Sequence, residues 1–324
     1  MMTRPRPITP EDVEAWAQLL NAVSRADDFG ETFTAVELEE DLRVPGFVPA
    51  TDTLSWWAGE AMIASVEVSV RQLTGDDGLA KAFISGFVHP DHRGLGLGTA
   101  IMEWGQQRAL ALAAHRHLGS GVQLDTWNMA GETSFARLAA DWGYSPVRYF
   151  SEMRIELAGW PAPEPDGRQR EILAASSPID DDLREPAHRA HLDAFRDHWN
   201  FTPGTIEKWV HFTTGSTFRP EYSRLALDPD NPDDPVDAYV LCQKNTADEL
   251  YVALVGTRRR ARGRGLATAL LADVVRQAKE AGLATVTLGV DSASPTGANG
   301  IYERIGFRPE RPSVEYSKRL PAPS

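Results

Sequence analysis

The run Val255-Gly256-Thr257-Arg258-Arg259-Arg260-Ala261-Arg262-Gly263-Arg264-Gly265-Leu266-Ala267 carries the clearest chemistry in the sequence. An extended segment, ELYVALVGT, leads into it, and Leu266, Leu270 and Val274 recur at helical spacing after it. Gly263 and Gly265 allow a tight strand-to-helix turn, and the small Ala267 allows close approach where the helix begins. The first amides of a helix have no partner inside it, so this turn is suited to an anion such as a pyrophosphate. Arg262 and Arg264 add positive charge, with Arg258 to Arg260 beside them. The Gly-Lys-Ser/Thr of nucleotide hydrolases is missing, and so is the context of a dinucleotide GxGxxG. A glycine-rich turn with a solvated basic face is the plainer reading of the same residues.

Such a turn needs a strand before it and a helix after it, and the chain supplies that order twice. In the first half a capped helix at Thr9 and Pro10 precedes EDVEAWAQLLNAVSRA, followed by the strands TLSWWAG, MIASVEVSV and KAFISGFVHP. DHRGLGLG then opens the helical TAIMEWGQQRALALAAHR, and GVQLDTWN, SFARLAADWG and SPVRYFSEMRIEL complete the half. In the second half REPAHRAHLDAFRDHW reads as a helix, and YSRLALDPDNPDDPVDAYVLCQ as two strands around an acidic turn. ATVTLGV, TGANGIYERIG and EYSKRL follow the arginine-rich turn and its helix. Arg93, Gly96 and Gly98 precede Arg262, Gly265 and Ala267 by 169 positions each, and the WGY at Trp142 precedes the IGF at Ile305 by 163. Two ordered anchors at nearly one spacing indicate an internal duplication. The expected division is an N-terminal domain over 1–160, a Pro-rich linker over 161–174 and a C-terminal domain over 175–324.

Composition narrows the function further. A chain of 324 residues, 42% hydrophobic, fills two cores more naturally than one. A formal charge of -13 provides no general cationic surface for nucleic acid. The N-terminus does not resemble a secretory signal and no apolar stretch of about 18 residues occurs, so a cytoplasmic protein without a membrane span is expected. Cys242 is the single cysteine, which excludes an intrachain disulfide and a Cys-rich metal site, and DAYVLCQ reads as a strand around a buried thiol. The histidines form no compact metal pattern, so no catalytic metal is expected.

Arg262-x-x-Gly265-x-Ala267 after a strand, followed by a helix and then by SASPTGANGIYERIGF, resembles the coenzyme A signature of the GCN5-related N-acetyltransferase (GNAT) family. Two such modules in one chain resemble the tandem arrangement of the mycothiol synthases, over roughly residues 8 to 158 and 175 to 320. The resemblance implies an α/β (α+β) fold of two GNAT-like domains, each a mixed, mostly antiparallel sheet flanked by helices. It implies acetyl-CoA as cosubstrate and a small-molecule primary amine as acceptor, aminoglycoside-like or a mycothiol precursor. Ser292 and Ser294 stand where Asn is common in the family, which weakens the match to that particular acceptor.

Carried onto this sequence, the resemblance gives the pyrophosphate to Arg262, Gly263, Arg264, Gly265, Leu266 and Ala267. It gives the pantetheine and acyl carbonyl to the strand at Leu254 and Val255, where a nearby amide polarises the thioester. Tyr302 matches the tyrosine that protonates the departing thiolate, with Asn299 on the same short helix orienting it or contacting the coenzyme. Glu249 matches the acid that makes the amine's lone pair available, directly or through water, for direct attack. In the first half Val88, Arg93, Gly94, Gly96 and Gly98 keep the loop, but Ala139 occupies the position of Tyr302, so binding or scaffolding is expected there. Glu67 reads equally as a groove residue or a solvated strand position. Phe195, Asp197, His198, Trp199, Phe201, Trp209 and His211 are candidates for an acceptor groove or an aromatic core. A noncatalytic acyl-CoA sensor or interaction module is the alternative to an enzyme.

Overall fold

The computed structural model describes residues 4–244, 246–293 and 298–322. The chain forms two compact units, Met1–Tyr149 with Pro312–Ser324, and Phe150–Arg311. In chain order the elements are α1 (Val13–Asp27), α2 (Ala35–Asp41), α3 (Pro49–Asp52), β1 (Thr53–Ala58), β2 (Ala61–Val70), β3 (Ala80–Val88), α4 (Leu97–Arg116), β4 (Val122–Met129), α5 (Thr133–Asp141) and β5 (Ser145–Glu156). They continue with α6 (Gly167–Ala174), β6 (Ser176–Ser177), α7 (Asp181–Phe195), α8 (Ile206–Thr214), β7 (Arg224–Leu227), β8 (Val236–Lys244), β9 (Glu249–Thr257), α9 (Leu266–Glu280), β10 (Thr285–Asp291), α10 (Ala298–Ile305) and β11 (Arg308–Leu320).

In the first unit the strands run β1-β2-β3-β4-β11, antiparallel except for the parallel pair β3–β4. In the second they run β6-β7-β8-β9-β10-β5, antiparallel except for β9–β10. Alternation along β2 sends Val66, Val68 and Val70 against Ile101, Met102 and Ala109 of α4. On the opposite face of that sheet, Trp16, Leu19 and Leu20 of α1 pack on Trp57 and Met62. The second unit repeats this scheme, with Leu270, Val274 and Val275 of α9 on one face and Ala187, Ala190 and Trp209 of α7 and α8 on the other. A large apolar side chain so buried contributes about 1.5–3 kcal/mol.

The compact units do not part at residues 161–174. β5 follows the first half's last helix in sequence, yet Phe150 to Glu156 pair with Asp291 to Thr285 of β10. β11 follows the second half's last helix, yet Ser313 to Leu320 pair with Met129 to Val122 of β4. Alternation marks a segment as a strand without naming its partner, so this exchange is invisible locally. Most of the expected linker is helical: Asp166 and Gln169 form a capping box at the start of α6, and Ile172 and Leu173 pack against the second unit's core. The segment EILAASS supplies the end of that helix and the two residues of β6.

Candidate active site

In the second unit the parallel register of β9 and β10 ends at Leu288 opposite Val252, although β9 continues to Thr257 and β10 to Asp291. The strands part there and free the β10-facing edge of Leu254 and Val255, whose other edge stays paired with Leu241 and Val240. Opposite Leu241 and Cys242 the register skips Ala253, a bulge that bends β9 at the same level. Beyond the opening lies the glycine turn, with Gly263 at φ +76 and Gly265 at φ +80. An added Cβ would meet nothing within 4 Å at either position, so glycine is required by its dihedrals and not by space. Helix α9 starts at Gly265 without a side-chain cap, and its first backbone bond runs from Ala269 to Gly265. The amides of Leu266, Ala267 and the intervening first turn are therefore left to an external acceptor. Gly265→Ala is expected to cost about 1–2 kcal/mol through the left-handed dihedral. Thermal unfolding would read that loss, and calorimetry with coenzyme A would read the accompanying loss of affinity.

The loop arginines are largely committed within the protein. Arg262 donates from Nε to the Thr257 carbonyl at 3.4 Å, from Nη1 to Asp197 at 3.2 Å and from Nη2 to the Ala194 carbonyl at 3.2 Å. Arg260 and Arg264 share the buried Asp237, at 2.8 and 3.0 Å. Arg258 pairs with Asp234 and Arg259 with Asp197. The hydrogen bond from Arg259 holds the Asp197 carboxyl below the usual carboxylate range. Arg262 thus ties the turn to the preceding strand and to the end of α7, and a pyrophosphate would compete with Asp197 for its guanidinium. Asp197, a candidate for an acceptor groove or an aromatic core, pairs with these loop arginines.

Tyr302 lies on α10, edge-on to Phe307 at 6.2 Å between ring centroids. Burial raises its phenol to about 12, and among the described residues its hydroxyl has no hydrogen-bond partner. Asn299 donates to the Ser292 carbonyl at 3.5 Å, the long limit of a hydrogen bond. Glu249 is buried, receiving Arg154 Nη1 at 2.8 Å and the hydroxyls of Thr285 and Thr287 at 3.2 Å each. It sits three residues before Val252, about 10 Å of extended chain from where the strands part. Water or an extended acceptor would be needed to link it to a group bound at Leu254. Cys242 is fully buried, and burial pushes its thiol far up, so it is no nucleophile.

Two residues of this site escaped the sequence reading. Tyr239 of β8 lies over Gly256, where an added Cβ would fall 2.3 Å from its ring, and its hydroxyl meets His191 Nδ1 at 2.8 Å. His191 packs at a tilt against Phe195 at 4.4 Å and Trp209 at 5.0 Å, and burial lowers it to about 4, so the ring is neutral. Phe195 in turn stacks on His198 at 4.0 Å. The signal was Gly256 itself, since a glycine within a strand marks close approach of another group.

The first unit repeats the geometry. β3 and β4 stay in register only to Phe83 opposite Asp125, then part. Gly94 and Gly96 have φ of +75 and +82, and α4 begins uncapped with its first bond from Ala100 to Gly96. Arg93 donates to the Val88 carbonyl at 3.4 Å and makes a two-pronged ion pair with Asp27 at 2.8 and 2.7 Å, the counterpart of Arg262 and Asp197. An added Cβ at Gly98 would lie 3.0 Å from Leu138, where Ala267 holds the matching place in the second unit. A cavity of about 500 Å³ fills the opening, lined by Ser85 to Val88, Trp127 and the loop from His92 to Thr99. Ala139 is fully buried and offers no donor. Among the described residues no group of three or more His, Cys, Asp or Glu is placed to hold a metal. Nor is any of their helices long and apolar enough to cross a membrane.

Residues 14–130 and 182–307 match the acetyltransferase (GNAT) family. The mycothiol acetyltransferase of Parafrankia sp. is 29% identical over 98% of this chain and 97% of its own length. The crystal structure of a GCN5-related N-acetyltransferase from Sphaerobacter thermophilus superposes with a TM-score of 0.74 at 28% identity, covering 100% of this chain and 97% of that one. A tandem GNAT protein from the clavulanic acid biosynthesis pathway shares the fold, with a TM-score of 0.66 at 17% identity and full coverage of both chains.

Proposed function

Since the chain belongs to the acetyltransferase (GNAT) family and is an acetyl-CoA-dependent N-acetyltransferase, we propose that its second unit moves the acetyl group to a primary amine by direct attack. The observation that carries this reading is the parting of β9 and β10 beside an uncapped helix start, with the Tyr302 hydroxyl, unpartnered among the described residues, in the same unit. The amides after Gly265 hold the pyrophosphate, and the free edge of Leu254 and Val255 holds the pantetheine and polarises the carbonyl. The amine nitrogen attacks the carbonyl carbon, and the bond from carbon to sulfur breaks as the tetrahedral adduct collapses. Glu249 receives the proton that frees the amine's lone pair, through water given its distance from the opening. Tyr302 faces the charge that develops on sulfur. Burial of Cys242 supports direct transfer over an acyl-enzyme.

The acceptor is a small-molecule amine, and the relatives named mycothiol acetyltransferase make a mycothiol-precursor aminoglycoside the first to try. The experiment is an amine panel with acetyl-CoA, read by release of free thiol, on wild type and Glu249→Gln. We expect turnover with at least one amine and a fall of about 10²-fold or more in the variant. No thiol release with any amine, alongside tight coenzyme binding, would leave the sensor reading in its place.

A further inference from the structure

We propose that Tyr251 carries the amine's proton toward Glu249, its hydroxyl standing between that carboxylate and the thioester in the opening of the second unit. This deepens the acyl-transfer reading above and rests on it.

Alternation along β9 puts Glu249 and Tyr251 on one face. Leu250 and Val252 turn toward α9, together with Val286 and Leu288 of β10, so the residues between them turn the other way. On that other face Glu249 meets the hydroxyls of Thr285 and Thr287, and Thr287 is the register partner of Tyr251. Past Tyr251 the skipped Ala253 keeps the face continuous, since Leu254 packs with the α7–α8 core on the same side.

The phenol leans toward the opening. Gly289 of β10 lies two residues past Thr287, level with Ala253, and a Cβ added there would fall 3.3 Å from the Tyr251 hydroxyl. The hydroxyl has therefore moved ahead of its own Cα to where the strands have parted, one residue short of Leu254. Gly289 is exposed and its φ is not in the left-handed region, so what the glycine supplies is space beside the hydroxyl. Tyr251 is half-buried, and this notch admits an amine to it. Glu249, bonded at the level of Thr287, lies two residues behind, about 6–7 Å along the strands. Water with a hydrogen bond of about 3 Å on either side closes that gap. The path from amine to carboxylate thus contains a fixed hydroxyl, where water alone would have to cover about 10 Å.

The first unit supplies the contrast. Its strands β2 and β3 pair without a bulge, so Lys81 and Phe83 stand where Glu249 and Tyr251 stand. Their register partners Gln123 and Asp125 match Thr285 and Thr287, and Ala82 and Ile84 turn toward α4 as Leu250 and Val252 turn toward α9. Trp127, two residues past Asp125, fills the place of Gly289. Carboxylate, hydroxyl and notch are replaced together in the unit where Ala139 also replaces Tyr302. Such joint replacement fits parts of one relay.

The step balances. The ammonium gives one proton to the phenol oxygen as the phenol passes its own, through water, to Glu249, so Tyr251 ends as it began. The freed nitrogen attacks the carbonyl carbon, the bond to sulfur breaks, and the nitrogen's remaining extra proton ends on the thiolate. Glu249 then releases its proton to solvent, giving amide, coenzyme thiol and one proton.

The test uses the full chain with acetyl-CoA, reading thiol release at pH 8 with two nucleophiles. One is the fastest amine of the panel above; the other is hydroxylamine, which is already unprotonated and needs no base. Tyr251→Phe should lower amine turnover by about 10-fold or more, yet leave hydroxylamine turnover and coenzyme A affinity within about threefold of wild type. Gly289→Ala, whose methyl meets the hydroxyl, should lower amine turnover in wild type and change nothing further in Tyr251→Phe. Tyr251→Phe added to Glu249→Gln should likewise cost little more than Glu249→Gln alone. Equal losses with both nucleophiles, or full additivity of Gly289→Ala with Tyr251→Phe, would show a packing role and overturn the proposal. If Glu249→Gln loses turnover while Tyr251→Phe keeps it, only the relay fails. If wild type releases no thiol with any amine, the acyl-transfer reading itself fails.

Discussion

Tyr302→Phe is expected to lower turnover by about 10²-fold or more while leaving the KM for acetyl-CoA within about threefold of wild type. The ring packs on Phe307 in either form, and the lost hydroxyl has no partner among the described residues, so the fold gives up nothing for it. What the hydroxyl does must then appear in the chemical step. Its phenol stands at about 12, whereas a thiol ordinarily titrates near 8.5. Complete transfer from phenol to thiolate would run uphill by about 5 kcal/mol, so in the proposed role Tyr302 would act mainly by donating a hydrogen bond as charge reaches sulfur. The sign of the pH effect follows. The phenol is the active form and persists until pH approaches 12, so any alkaline loss of activity below that belongs to another group. Steady-state kinetics from pH 6 to 10 would check both statements. Unchanged kcat in Tyr302→Phe would remove the residue from the reaction, and a basic limb near 10 that disappears in the variant would contradict its buried state.

The same contrast between local and distant causes decides what the sequence made legible. Gly263 and Gly265 were readable because a left-handed dihedral is a local demand, and the structure gives them φ of +76 and +80. The duplication was readable because the loop and its following helix recur at fixed spacing. The arginines were harder: charge type suggested phosphate, but only the fold brings Asp197, Asp234 and Asp237 to them. Glu67 shows the limit clearly. Alternation in SVEVSV marks an outward position, and what covers it is the α1–α2 layer, more than twenty positions earlier in the chain. The strand exchange was equally hidden, since β5 and β11 carry ordinary strand patterns and their partners β10 and β4 lie in the opposite halves of the sequence. Polar groups near the opening thus required the fold, whereas the turn that precedes them did not.

Arg154→Ala should be the most destabilising of the charge deletions, costing about 3–5 kcal/mol. The guanidinium of Arg154, on β5 opposite Thr287, lies 2.8 Å from Glu249, whose side chain is only 8% exposed. Its Nε also holds Glu156 at 2.7 Å, but that partner is 68% exposed and is readily rehydrated. Glu249 is far less so, and the hydroxyls of Thr285 and Thr287 at 3.2 Å supply dipoles but no charge. The penalty is therefore that of a buried carboxylate deprived of the Arg154 guanidinium. Urea unfolding of Arg154→Ala would read this directly. Adding Glu249→Gln should recover a large part of the loss, through a coupling of about 1–3 kcal/mol between the two positions. No recovery in the double variant would mean that Arg154 stabilises through the packing of its stem and not through Glu249.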